Sequence, residues 1–150
     1  MSSLASLIYA PRSIGLFANG VFTGIGICMN FVGVPAIKST KDPLPVFYKV
    51  YEKTHVIAIL SIFVSTAANA VCYYRTKDTK FIYSTALSFL SFPYTILFMM
   101  PTNNQLFALE KEGSNYDRKK VDQLVTKWGK LQSVRTIAGT AAFVINILYY

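Results

Sequence analysis

Few side chains in this 150-residue chain are equipped for chemistry, and they fall into two groups. The first lies at the ends of apolar runs: His55, the Pro101-Thr102-Asn103-Asn104 segment, Trp128 and Arg135. Imidazole is the side chain that titrates near neutrality, so His55, the single histidine, is the candidate proton acceptor. Tyr48, Tyr51 and His55 recur at i, i+3 and i+7, which puts both tyrosines on its helix face as weaker candidates. Arg135 stands where a basic amphipathic stretch turns apolar. Two readings apply to it. Its guanidinium snorkels to lipid headgroups with Trp128 as an interfacial anchor, or it points inward and stabilises an anion. Trp128 precedes it by two helical turns and shares its face, while Asn103 and Asn104 would cap a helix end or assist a ligand oxygen. The plainer reading of His55 is a solvated residue at the lip of a membrane span.

The second group is neutral. Asn19, Asn30, Asn69 and Asn146 sit inside apolar runs. An amide buried in hydrocarbon without a partner costs several kcal/mol. These four must therefore face other helices, as interhelical glue or as the lining of a polar pocket. Asn19 is the one carried forward as a substrate-binding candidate.

Much is excluded. No HExxH, phosphate-binding loop, GxSxG or Cys/His cluster is present. One histidine cannot supply a bis-histidine haem or a histidine-rich iron site from this chain alone, and no metal site is expected. The apolar runs hold no carboxylate, which disfavours a carboxylate-driven proton-coupled transporter. Cys28 and Cys72 both lie inside such runs and suggest neither a disulfide framework nor zinc.

These side chains have to be positioned by helices in a membrane. The chain is 53% apolar and only 15% charged, with a mean hydropathy of +0.38. A soluble domain is nearer about 45–50% and about 25%. A soluble helical protein would need a charge every turn or so on its exposed faces. Instead four long stretches are nearly free of charge, at about 13–34, 54–74, 81–100 and 134–150. A spanning helix needs about 20 apolar residues. The fold expected is all-α, a four-helix transmembrane bundle forming a single integral membrane domain over residues 1–150. Pro35 and Pro101 are read as the stops of the first and third spans. Asp42, Pro43 and Pro45 allow the second helix to begin early. The fourth span is short unless it continues an amphipathic helix over about 115–133. Val121, Leu124, Val125, Trp128 and Leu131 recur there at three- and four-residue spacing. Ser114 and Asn115 are its expected start signal. Gly20 and Gly24 form a GxxxG pair for close helix approach, Ser84, Ser88 and Ser91 line the third span, and Pro93 is a candidate kink.

The net charge of +8 is read as topology and not as a nucleic-acid footprint. Lys38, Lys41, Lys49 and Lys53 belong to the first loop, and Lys111, Arg118, Lys119, Lys120, Lys127, Lys130 and Arg135 to the third loop and its helix. The other side carries Arg12, Arg75, Lys77 and Lys80. Basic residues concentrate on the cytosolic side, which places loops one and three there.

Three segments resemble one family. They are Asn19-Gly20-Val21-Phe22-Thr23-Gly24 with Pro35-Ala36, Pro101-Thr102-Asn103-Asn104-Gln105-Leu106, and Trp128-Gly129-Lys130-Leu131 followed by Arg135. Together they are similar to the anthrone oxygenase-like group of small four-span membrane proteins, catalogued largely as a domain of unknown function. Many members carry a His or Asn shortly before the closing Arg, where this chain has Gln132-Ser133. The resemblance implies a four-helix membrane bundle. It also implies a monooxygenase, oxidising a hydrophobic polycyclic anthrone to an anthraquinone with no metal, flavin or other cofactor. Its residues would then be Arg135 and His55 as catalytic groups and Asn19, Asn103, Asn104 and Trp128 against substrate. The alternative is a non-enzymatic integral membrane protein that packs against another protein or binds lipid. Membrane lipid is the expected surrounding, in the endoplasmic reticulum or another internal membrane. A second copy or a protein partner is left open, and nucleic acid is not expected.

Overall fold

The computed structural model describes residues 10–148, apart from the Ser114 side chain. Four long helices make up the protein: α1 (Pro11–Ser39), α2 (Pro43–Thr76), α3 (Lys80–Lys111) and α4 (Arg118–Leu148). All are long and apolar enough to cross a membrane. Each packs on its chain neighbours, and α4 closes the ring against α1.

Local chemistry sets the ends. Pro11 and Pro43 open α1 and α2, where a missing N–H costs nothing. Lys77 ends α2 in the left-handed region (φ 58°), its N–H reaching the Tyr73 carbonyl at 2.8 Å. The Asp78 carboxylate accepts the backbone N–H of Lys80 at 3.1 Å to start α3. The Lys80 ammonium first, and then that backbone bond, hold the carboxyl below the usual range. The start of α4 differs from expectation: Gly113–Asn115 is a short 3-10 turn, and the cap is Asp117. Its carboxylate accepts from the N–H groups of Lys119 (2.9 Å) and Lys120 (3.4 Å), so the helix begins at Arg118. Tyr149 and Tyr150, expected at the end of the fourth span, lie outside the described residues.

Neither Pro35 nor Pro101 stops its helix. A proline ring clashes with the carbonyl four residues back, here Phe31 and Leu97. Both belong to π turns, Met29–Gly33 and Thr95–Met99. The wider turn carries that carbonyl clear of the ring, and the helix runs on. Thus α1 reaches Ser39 and α3 reaches Lys111.

At 1.5 Å per residue, helices of 29–34 residues are about 44–51 Å long against about 30 Å of hydrocarbon. They therefore overhang. Large apolar residues are exposed from Ile14 to Val32, Val56 to Tyr74, Ile82 to Met100 and Val134 to Leu148. This belt is about 27 Å tall along α1, and it lies within 13–34, 54–74, 81–100 and 134–150. Beyond it, at the end formed by loops one and three, the helices bury Ile37, Leu44, Phe47, Leu106, Val121, Val125 and Trp128 in one cluster. There the Arg118 guanidinium donates to the carbonyls of Lys41 and Thr40, and the Tyr116 hydroxyl donates to Asp42, tying loop three to loop one.

Within the belt the helices touch through small and polar residues. Ser88 Oγ donates to Asn19 Oδ1 (3.0 Å) and Ser84 Oγ to Asn146 Oδ1 (2.8 Å). Asn69 donates to Ser84 at 3.4 Å, and Asn30 to Thr136 at 3.2 Å. The four amides are thus interhelical glue. The expected GxxxG pair is not the closest approach, since a Cβ on Gly24 would meet nothing. The tight crossings are Gly26, where a Cβ would stand 2.6 Å from Thr136 Oγ1, and Gly139, where it would stand 2.5 Å from the Phe22 ring.

Candidate functional site

Where the polar seam gives way to the cluster of large side chains, the helices enclose a cavity of about 300 Å³. That lies at the lower end of the range for ligand pockets. All four helices line it. Ile25, Met29, Ala58, Ile62, Phe92 and Met99 make its walls apolar. The π turns widen α1 and α3 at this level, which brings Met29, Thr95, Ile96 and Met99 onto the walls.

Arg135 is the charge in this cavity. One of its terminal nitrogens donates to Gln132 Oε1 at 3.1 Å and lies 3.6 Å from Met99 Sδ. Its guanidinium sits 5.4 Å from the centre of the Phe22 ring. Among the described residues it forms no ion pair, and its Nε has no partner in the protein. An uncompensated charge among apolar side chains costs several kcal/mol, and an anion in the cavity would recover much of that. Arg135 therefore stands apart from the basic residues of loop three and lines the cavity.

Opposite stand Tyr51 and His55 on α2, with rings stacked 4.9 Å apart. His55 Nδ1 lies 2.8 Å from the Tyr51 carbonyl oxygen, which can only accept. In the neutral ring Nδ1 therefore carries the hydrogen, and Nε2 keeps the free lone pair of a base. Tyr51 lines the cavity together with Arg135 and Asn103. Two more polar atoms of cavity-lining residues are buried and unpaired among the described residues: Asn103 Oδ1, an acceptor, and Trp128 Nε1, a donor. Arg135 and Trp128, which line the cavity, thus carry donors that a modest side-chain shift would bring to an oxygen bearing negative charge. Asn103 Oδ1 offers an acceptor for a hydroxyl.

Of the residues singled out in the sequence, Arg135, His55, Asn103 and Trp128 come together on this cavity. Two do not. Asn19 lies in the polar seam, its amide oxygen taken by the Ser88 hydroxyl. Asn104 is exposed, because one residue along a helix turns a side chain about 100° away from its neighbour. Tyr48 also faces outward and packs edge-on to Phe107 (5.9 Å). Gln132 holds Arg135 from one turn earlier and was noted in the sequence only as a departure from the family pattern. Its i, i+3 relation to Arg135 was the signal available. The π turn and its methionines had only the flanking Pro93 and Pro101 as a sign.

Fold and cavity together define a small multi-pass membrane protein: four spanning helices around an apolar pocket with one half-buried guanidinium. The anthrone oxygenase family model matches residues 47–145, and the chain belongs to that family. It is similar to an anthrone oxygenase of Claviceps purpurea (strain 20.1), 28% identical over 154 aligned positions covering 92% of this chain and 88% of that one. It is also similar to the anthrone oxygenase dmxR16 of Cryptosporiopsis sp. (strain 8999), 51% identical over 45 residues. That match covers 30% of this chain and 26% of the relative. No solved structure matches the chain.

Proposed function

We propose that the protein is a cofactor-independent oxygenase that converts an anthrone-type fused aromatic ketone to the quinone. Arg135 carries the reading: a half-buried guanidinium lining an apolar, aromatic-sized cavity, with no carboxylate paired to it among the described residues. Family membership and the curated names of the relatives support it.

The substrate has an acidic CH₂ opposite its carbonyl. His55 Nε2 takes one of those protons, and the negative charge moves to the carbonyl oxygen, which Arg135 and Trp128 stabilise as donors. A hydroxyl beside that carbonyl would donate to Asn103 Oδ1. The electron-rich anion reduces O₂, and the two join as a peroxide at the former CH₂ carbon. The imidazolium returns its proton to the peroxide. His55 then removes the remaining C–H proton while the O–O bond breaks. A C=O forms, and hydroxide leaves as water with that proton. One CH₂ and one O₂ become one C=O and one H₂O.

The test is the purified protein in lipid nanodiscs with an anthrone, following quinone absorbance and O₂ uptake together in the presence of a chelator. One O₂ consumed per quinone, well above the spontaneous rate, is the expected result. No acceleration across several anthrones removes the reading.

A further inference from the structure

The walls of the cavity differ from side to side. On the side of loops one and three, Phe47 packs edge-on to Trp128 (5.3 Å) and Tyr51 to Phe107 (5.0 Å), backed by fully buried Leu106, Val121 and Val125. The wall between α2 and α3 differs. Ile59, Ile96 and Met100 line the cavity, yet they are 40%, 50% and 40% exposed on the bilayer-facing belt. Interior and lipid thus meet at three side chains, two of them on or beside the π turn of α3. Resting on the oxygenase reading, we propose that the cavity loads sideways from the bilayer through the gap between α2 and α3. Its substrate is then a flat fused-ring ketone that is uncharged and dissolved in lipid, and it ionises only after it is inside.

The chemistry agrees with that order. A charged group is costly to move through hydrocarbon, whereas a neutral fused aromatic partitions into it. The guanidinium that would hold the anion lies behind the apolar rim, so the charge forms beyond the passage.

Trp128 is the single tryptophan and lines the cavity, which makes it a native probe. The full chain is placed in phosphatidylcholine vesicles, and quenching of Trp128 emission is followed by stopped flow. One probe is anthraquinone, a neutral aromatic ketone that enters the bilayer. The other is anthraquinone-2-sulfonate, whose charge keeps it in water. Saturable quenching by the neutral probe and none by the sulfonate is expected. The I59F/I96F variant, with its rim filled, should be quenched about tenfold more slowly by anthraquinone, and I59A/I96A faster than wild type. L60F/L97F puts the same bulk on neighbouring lipid-facing residues, 59% and 67% exposed, that do not line the cavity, and should match wild type. Equal rates in wild type and both rim variants would overturn the proposal. So would saturable quenching by the sulfonate, or the absence of saturable quenching by anthraquinone. Quenching as expected with no quinone formation from an anthrone would remove the oxygenase reading and leave the lateral route standing. Catalysis indifferent to I59F/I96F would do the reverse.

Discussion

The two ends of the bundle are built from different materials. Toward loops one and three, where the helices overhang the belt, the contacts are Phe47, Leu106, Val121, Val125 and Trp128, the interior of a soluble protein. Within the belt they are Gly15, Asn19, Asn69, Ser84, Ser88 and Asn146. The surroundings explain the difference. Lipid tails are as apolar as leucine, so burying leucine there gains little, and helices associate through close approach and hydrogen bonds. In water the same burial is worth about 25 cal/mol per Å². The cavity lies where one mode of packing hands over to the other. It is flanked on both sides by packed contacts, which suits a site whose walls do not pack against each other.

If the junction serves chemistry and the two ends serve stability, substitutions should separate cleanly. The largest effects belong at the junction and should appear in rate alone. His55→Gln removes the base and should lower quinone formation by about 10²–10⁴-fold, and Arg135→Gln should lower it by about 10²–10³-fold, with helix content and melting temperature little changed. A variant of Arg135 that keeps the full rate would break the assignment of that residue. Next comes the water-side cluster. Leu106→Ala leaves a void in a fully buried position and should cost about 2–5 kcal/mol, read as a loss of melting temperature in detergent. Ser84→Ala should cost far less, about 0.6 kcal/mol and at most about 1.7, although it breaks hydrogen bonds to both Asn69 and Asn146. Equal losses at Leu106 and Ser84 would erase the contrast between the two ends.

The same contrast decides what could be read from sequence. Stretches nearly free of charge announce a lipid-facing belt directly, because charge is the one thing hydrocarbon does not tolerate; the exposed large apolar residues, Tyr48 apart, fall inside all four. The Val121–Leu131 periodicity likewise exposes the overhanging part of α4, where water rewards an amphipathic stripe. The site was half legible. Arg135, His55, Trp128 and Asn103 stood out because they are polar residues at the edges of apolar runs. Asn19 was legible as buried but not as to which neighbour satisfied it, since Ser88 lies 69 residues away. Helix phase separated Asn103 from Asn104, and it was hidden by the π turn just before Pro101, which breaks the regular count. For the same reason Pro35 and Pro101 looked like ends.

The smallest effect is expected at the tie between the loops. The Tyr116 hydroxyl donates to the Asp42 carboxylate at the exposed loop end, and neither residue lines the cavity. Surface contacts of this kind are worth up to about 1 kcal/mol, so Tyr116→Phe should lower the melting temperature slightly and leave quinone formation unchanged. Its pH dependence carries the sign. Desolvation first, then the hydrogen bond to Asp42, pushes the Tyr116 phenol above its ordinary value of about 10. A group raised in the folded state contributes in full below its unfolded value and loses that contribution as pH rises through the folded one. The gap between wild type and Tyr116→Phe should therefore be constant up to about pH 9 and close above about pH 10, as thermal melts across that range would record. A gap that widened with alkali would mean that Tyr116 is stabilised as phenolate, by Arg118 and not by Asp42, and that the loops are joined by opposite charge instead of a donated hydrogen bond.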